Sequence, residues 1–133
     1  MDRMSELKKR LSQVLPAFEI AEEELLAKHT SFRIGGPAEL MVFPRRREEL
    51  SAILRIAKEL GIVPRILGAG TNVLAPDEGV RGLVIVTRET FMGLELVSPT
   101  HIAAMAGMTL AQAANFAARN RLSGLEFAHG IPG

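Results

Sequence analysis

Residues 50–60 carry the clearest periodic signal in the chain. Leu50, Ile53, Leu54, Ala57 and Leu60 recur at i, i+3, i+4, i+7 and i+10, which is one stripe of an α-helix. Gly61 follows where a left-handed C-terminal cap belongs, so a helix over 47–60 is predicted. An apolar stretch precedes it at 38–43, closed by Pro44, and a shorter one follows at 64–67. Strand, helix and strand in that order make a β-α-β unit. The continuous run Leu83-Val84-Ile85-Val86 predicts another buried strand, set off by a Pro76-Asp77-Glu78-Gly79 turn. Upstream, Leu7, Leu11 and Val14 predict a helix over 4–14, with Ser5 as its cap and Pro16 as its stop. The acidic run 19–24 fits either a helix or an extended arm. Beyond Arg88 the pattern restarts, with strands at 91–97 and 101–105. A helix then runs from the Thr109 and Gln112 capping pair to about 121, with Leu110, Ala113, Ala114 and Ala117 inward and Ser123-Gly124 as its end. The expected division is an N-terminal helix and arm (1–28), an α/β subdomain (29–88) and the start of a second subdomain (89–133).

Between two of these strands lies Gly68-Ala69-Gly70-Thr71-Asn72, where the apolar run Ile66-Leu67 stops at two glycines. Glycine permits backbone angles closed to other residues and lets a ligand come close to the main chain. Successive free N–H groups make a concave anion site, and the Thr71 hydroxyl and Asn72 amide add donors, a chemistry suited to a diphosphate. The same residues also make an ordinary tight turn. Two familiar phosphate loops are excluded. A Rossmann loop needs a third glycine where Val73 stands, and a Walker loop needs a Lys that is missing here. A second glycine-rich stretch, Arg33-Ile34-Gly35-Gly36-Pro37, fixes an irregular entry to the strand at 38–43. Arg33 has two readings there: a reach to a phosphate or to the Gly68 loop, or a surface salt bridge.

Composition narrows the function classes. Sixteen basic and fifteen acidic residues leave a net charge of +1, which gives no bulk attraction to nucleic acid or to an anionic membrane. Without Trp or Tyr there is little for bases to stack on. The absence of cysteine rules out disulfides and thiolate metal sites, and fits a reducing cytosol. No apolar run reaches the roughly 20 residues that span a bilayer, and the charged N-terminus has no signal-peptide core, so a cytoplasmic protein is expected. Three scattered histidines give no metal-ligand spacing, and adjacent Glu22, Glu23 and Glu24 cannot converge on one ion.

Three stretches in order, HTSFRIGGPAEL (29–40), LGAGTNVLAPDEGVRGLVI (67–85) and GLEF-x-x-GIPG (124–133), resemble the UDP-N-acetylenolpyruvoylglucosamine reductases. Those enzymes belong to the FAD-binding superfamily of vanillyl-alcohol oxidase (p-cresol methylhydroxylase) type. Thr71 stands where the family more often has Ser, which keeps the hydroxyl. The resemblance implies an α+β fold, comprising the first FAD-binding α/β subdomain and an incomplete second one. It implies FAD as cofactor, NADPH as hydride donor and a UDP-sugar substrate in peptidoglycan precursor synthesis. Gly68, Ala69, Gly70, Thr71 and Asn72 would then hold the FAD diphosphate. Gly130, Ile131 and Pro132 would approach the flavin, with Arg33, Gly35 and Gly36 near the cofactor. The family's catalytic Arg, Ser and Glu lie beyond the last matched motif, so the chain is expected to stop in mid-site and to be inactive alone. The competing expectations are another FAD-linked oxidoreductase of the same superfamily and a non-catalytic nucleotide-binding fragment.

Overall fold

The computed structural model describes residues 2–71, 73–88 and 90–130. Within them α1 (Arg3–Val14) leads through a 3-10 turn to β1 (Ile20–Leu25), and a second 3-10 turn, Leu26–His29, leads on to β2 (Pro37–Val42). α2 (Arg47–Glu59), β3 (Arg65–Leu67) and β4 (Val80–Val86) complete the first unit. β5 (Leu94–Ser98), β6 (His101–Ala104) and α3 (Leu110–Arg119) follow, with a 3-10 turn at Glu126–Gly130. The acidic run therefore forms a strand. The first sheet has the order β1-β2-β4-β3, with β1 antiparallel to β2 and the other pairs parallel. β2, β3 and β4 thus end at one common edge, where crevices form in parallel α/β sheets.

One face of the sheet is covered by helices. Leu40, Val42, Leu83 and Ile85 pack against Leu7 and Leu11 of α1 and against Ile53, Ile56 and Ala57 of α2. Because two helices share this face, the stripe on α2 is rotated from the expected one: Leu54 is 42% exposed and Ile56 is buried. On α1, Leu15 is buried and Val14 exposed. The cap there is Asp2, whose Oδ1 accepts from the Ser5 N–H at 2.8 Å, so Ser5 lies inside the first turn that it was expected to cap. Side-chain alternation in β2 breaks once, with Ala38 and Met41 on one face and Leu40 and Val42 on the other. Ala38 pairs with Val80 and Leu40 with Leu83, two steps on β2 against three on β4. The extra residue is accommodated at Gly82 (φ 94°), whose N–H donates to the Glu39 carboxylate at 2.9 Å, the mark of a β-bulge.

Among the described residues no α-helix covers the opposite face. Ala38, Met41, Leu67, Val84 and Val86 are covered by two irregular segments, 26–36 and 68–79, which contribute Leu26, Val73 and Ala75. The two segments are bonded to each other, Ser31 N–H to the Gly70 carbonyl at 2.9 Å and Gly36 N–H to the Pro76 carbonyl at 2.8 Å. Their glycines are where the chains touch. A Cβ on Gly70 would stand 2.2 Å from the His29 carbonyl oxygen, and one on Gly36 would stand 2.1 Å from that of Asp77. A Cβ on Gly35 would stand 2.6 Å from the Ala75 methyl. The Gly68 position differs, with no atom within 4 Å of such a Cβ.

The second unit has less to bury. β5 and β6 form an antiparallel hairpin, and α3 opens with the expected reciprocal cap between Thr109 and Gln112. Ala114 and Ala117 are buried, whereas Leu110, Leu96, Val97 and Phe127 are exposed. α3 stops at Asn120, with Arg121 in the left-handed region at φ 60°, ahead of the expected Ser123-Gly124 stop. This unit is tied to the first through the Phe91 N–H on the Thr87 carbonyl at 3.0 Å and the Thr87 hydroxyl on the Ala106 carbonyl at 3.3 Å. A Cβ on Gly107 would meet the Thr87 carbonyl oxygen at 2.2 Å.

A pair of acids is buried where β1 begins and α2 starts. Glu49 accepts from the Arg45 and Arg46 N–H groups at 2.9 and 3.2 Å, and Glu19 is 1% exposed with Oε1 lacking a hydrogen-bond partner among the described residues. Burial first, and then the adjoining Glu49 carboxylate, push Glu19 up to about 7. Burial acts on Glu49 too, but the Arg45 amide, the Glu19 carboxyl and the Arg46 amide outweigh it and hold Glu49 below the usual range. For Glu19 the native value lies above the unfolded one, so its stabilising contribution is complete below about pH 4.5 and is lost as pH rises through about 7. For Glu49 the sign reverses, and its contribution is lost as pH falls below the ordinary carboxylate range.

Two outcomes follow for stability. Urea unfolding should show a loss on the order of 2–3 kcal/mol between about pH 5 and pH 8, which Glu19→Gln removes; a wild-type profile flat over that range would contradict the buried neutral Glu19. Gly36→Ala and Gly70→Ala should each cost about 2–4 kcal/mol or prevent folding, while Gly68→Ala should stay within about 1 kcal/mol of wild type. Equal unfolding midpoints for the three variants would contradict the interlock.

Candidate functional site

β3 is three residues long, and it delivers Leu67 to the edge where β2 and β4 also end. Gly68 begins the loop there, half-buried, with open space on the side where a side chain would stand. Ala69 and Thr71 are half-buried as well, and Gly70 is buried at φ 70°. The run is a bend and turn outside any helix, as a main-chain anion site requires. Gly68 and Gly70 serve different ends, although the sequence reads them alike. The room left by the missing Gly70 side chain is filled by the His29 carbonyl and Thr30 Cα, so on its Cβ side that glycine admits neighbouring backbone.

The structure separates the remaining expected residues. Gly35 and Gly36 lie where β2 and β4 begin, at the edge opposite Gly68, and they pack against Ala75, Asp77 and Gly79. Their role in the fold is contact between the two covering segments. Arg33 is exposed in a left-handed turn (φ 56°), with its N–H on the Thr30 carbonyl at 3.2 Å. Gly130 ends the last 3-10 turn. Asn72, Ile131 and Pro132 lie outside the described residues.

Beside Gly68 is a cleft of about 290 Å³ that the sequence motifs did not disclose. Lys28 and Arg88 contribute its cations, Thr90 a hydroxyl, and Phe43 and Val86 an apolar wall. Arg88 Nη1 donates to the Ala69 carbonyl at 3.3 Å, tying the end of β4 to the loop. The His29 ring also lines the cleft, held by Glu24 Oε2 at 2.9 Å and lying 5.5 Å from the Phe43 ring. The only signal in the sequence was position: Lys28 precedes one motif by a residue, and Arg88 follows the other by three. A cleft of similar size, about 300 Å³, at the opposite edge is lined by Glu23, Glu39 and Glu78 with Arg81. Three carboxylates there disfavour an anion. Among the described residues no cluster of His, Asp or Glu could hold a metal ion, and no helix is long and apolar enough to cross a membrane.

A diphosphate needs main-chain N–H groups it can approach, positive charge, and shelter from water. The open Gly68 backbone, Lys28 with Arg88, and the Phe43–Val86 wall meet those needs, so the residues fit such a group.

The chain is 39% identical over 123 residues to UDP-N-acetylenolpyruvoylglucosamine reductase of Clostridioides difficile, a match covering 92% of this chain and 40% of that protein. It is 44% identical over 114 residues to the enzyme of the same name from Moorella thermoacetica, covering 86% and 37% respectively. The chain thus spans about 40% of the length of such relatives. Among solved structures, p-cresol methylhydroxylase superposes with a TM-score of 0.64 at 15% identity, over 90% of this chain and 25% of that one. Alkyldihydroxyacetonephosphate synthase gives 0.65 at 14% identity, over 86% and 25%. The fold is accordingly of the p-cresol methylhydroxylase type that the resemblance implied. Residues 38–133 match the family model described as FAD binding domain, and with that match the chain belongs to the FAD binding domain family.

Proposed function

We propose that this chain is the diphosphate-binding part of a flavoprotein reductase that transfers hydride from NADPH to UDP-N-acetylglucosamine enolpyruvate, giving UDP-N-acetylmuramate. The setting would be the cytoplasmic synthesis of peptidoglycan precursors, and through it cell-wall biogenesis, cell shape and division. One observation carries the reading: an open glycine backbone at the C-terminal edge of a parallel sheet, flanked by two cations, in a chain similar over most of its length to reductases of that name.

In this reading Gly68, Ala69, Gly70, Thr71 and Asn72 bind the FAD diphosphate through main-chain N–H groups and the Thr71 and Asn72 side chains. Gly130, Ile131 and Pro132 approach the flavin from the second unit, and Arg33 stands at the rim. Gly35 and Gly36 act indirectly, by fixing the segment that carries Lys28 and His29. Bound FAD supplies the redox chemistry, and the protein supplies binding and orientation. The apolar wall beside the loop limits the water that would compete for the phosphate oxygens.

The test uses the intact protein. Titrated with FAD, it should bind, and Thr71→Val should weaken binding by about ten- to a hundredfold, the worth of one hydrogen bond to a charged group. NADPH oxidation should depend on added UDP-N-acetylglucosamine enolpyruvate. Wild-type FAD affinity in the Thr71 variant would contradict the loop assignment. NADPH oxidation at one rate with and without the sugar nucleotide would contradict the substrate.

A further inference from the structure

We propose that the diphosphate is taken on the Gly68 side of the loop and neutralised from two sides by Lys28 and Arg88, an assignment that rests on the flavin-binding reading above. The loop has two glycines, and only one has room beside it. At Gly70 the His29 carbonyl oxygen would lie 2.2 Å from a Cβ, so that side is already filled by protein. At Gly68 nothing stands within 4 Å, and this is the glycine that opens into the cleft of about 290 Å³. A ligand approaching on the Cβ side therefore has room at Gly68 and none at Gly70.

Charge favours the same place. The described residues lining the cleft include Lys28 and Arg88 but no carboxylate. His29 is tied to Glu24 at 2.9 Å and is not available as a further donor to a ligand on that nitrogen. Cations at the opening favour an anionic group there, which a net chain charge of +1 does not reveal. The placing of both cations is a consequence of the fold. Lys28 sits in the 3-10 turn Leu26–His29, directly before the carbonyl that fills the Gly70 side. Arg88 leaves the end of β4 and holds the Ala69 carbonyl at 3.3 Å, so it fixes the loop's shape as well as carrying charge. Lys28 is exposed and contributes a point charge on a flexible stem. Its effect on a ligand should be electrostatic and open to screening.

The experiment is FAD titration of the intact protein by fluorescence quenching, comparing wild type with Lys28→Met and Lys28→Arg. It is run at about 0.1 M and about 1 M salt, across which the screening length falls from roughly 10 to roughly 3 Å. Thermal melting is measured without FAD alongside. Lys28→Met should bind FAD about tenfold more weakly at low salt, lose most of that deficit at high salt, and melt like wild type without ligand. Lys28→Arg should restore binding to within about threefold. Unchanged affinity in Lys28→Met would overturn the assignment and leave the flavin reading standing. So would a Lys28→Arg protein as weak as the Met variant, or a lowered melting temperature that accompanies the weaker binding. Wild-type protein that binds no FAD at either salt concentration would overturn the flavin reading itself.

Discussion

The contact between the Gly70 backbone and the His29 carbonyl is the constraint on which the site depends. Two irregular segments cover one face of the sheet, and neither has a regular hydrogen-bond ladder of its own. Each is held by the other, through Ser31 on Gly70 at one end and Gly36 on Pro76 at the other. Buried backbone groups that lack a partner are costly, so a layer without helix or strand is stable only when its peptide groups are matched in this way. The glycines make the match possible, because any Cβ at Gly36 or Gly70 would stand in the neighbouring chain.

That layer decides where ligand chemistry can occur. Close packing uses up the Cβ side of the glycines at 35, 36 and 70 and leaves that of Gly68 open beside a cleft. It also brings Lys28 from one segment and Arg88 from beyond the end of β4 to the lining of that cleft. The carboxylates of Glu23, Glu39 and Glu78 collect at the opposite edge, where Glu39 also serves the Gly82 bulge. Among the described residues, acids thus predominate in the cleft at one edge and cations line the cleft at the other, although the chain as a whole is nearly neutral.

Much of the fold was legible in the sequence, and the illegible parts have physical causes. The stripe on α2, the apolar run of β4 and the Thr109–Gln112 cap are local signals, and each appears as an element where it was expected. Glu19 to Glu24 gave no local signal because β1 is an edge strand, set by pairing with β2 and by little burial of its own. The exposure of Leu54 came from sharing one face between two helices, which no single helix pattern encodes. At the site, motif spacing found the loop but could not tell a glycine needed for packing from one left open. That difference lies in atoms contributed by His29 and Asp77, distant in sequence. Lys28 and Arg88 were missed for the same reason, since each is an unremarkable charge until the sheet edge brings them together.

The most direct measurement of the central claim is a crystal structure of the intact protein with FAD bound. The account predicts the diphosphate at the edge where β2, β3 and β4 end, with phosphate oxygens within hydrogen-bond distance of main-chain N–H groups of the 68–72 loop and the Gly70–His29 contact unchanged. A diphosphate resting on Gly35 and Gly36, or in the cleft beside Glu23 and Glu78, would contradict it.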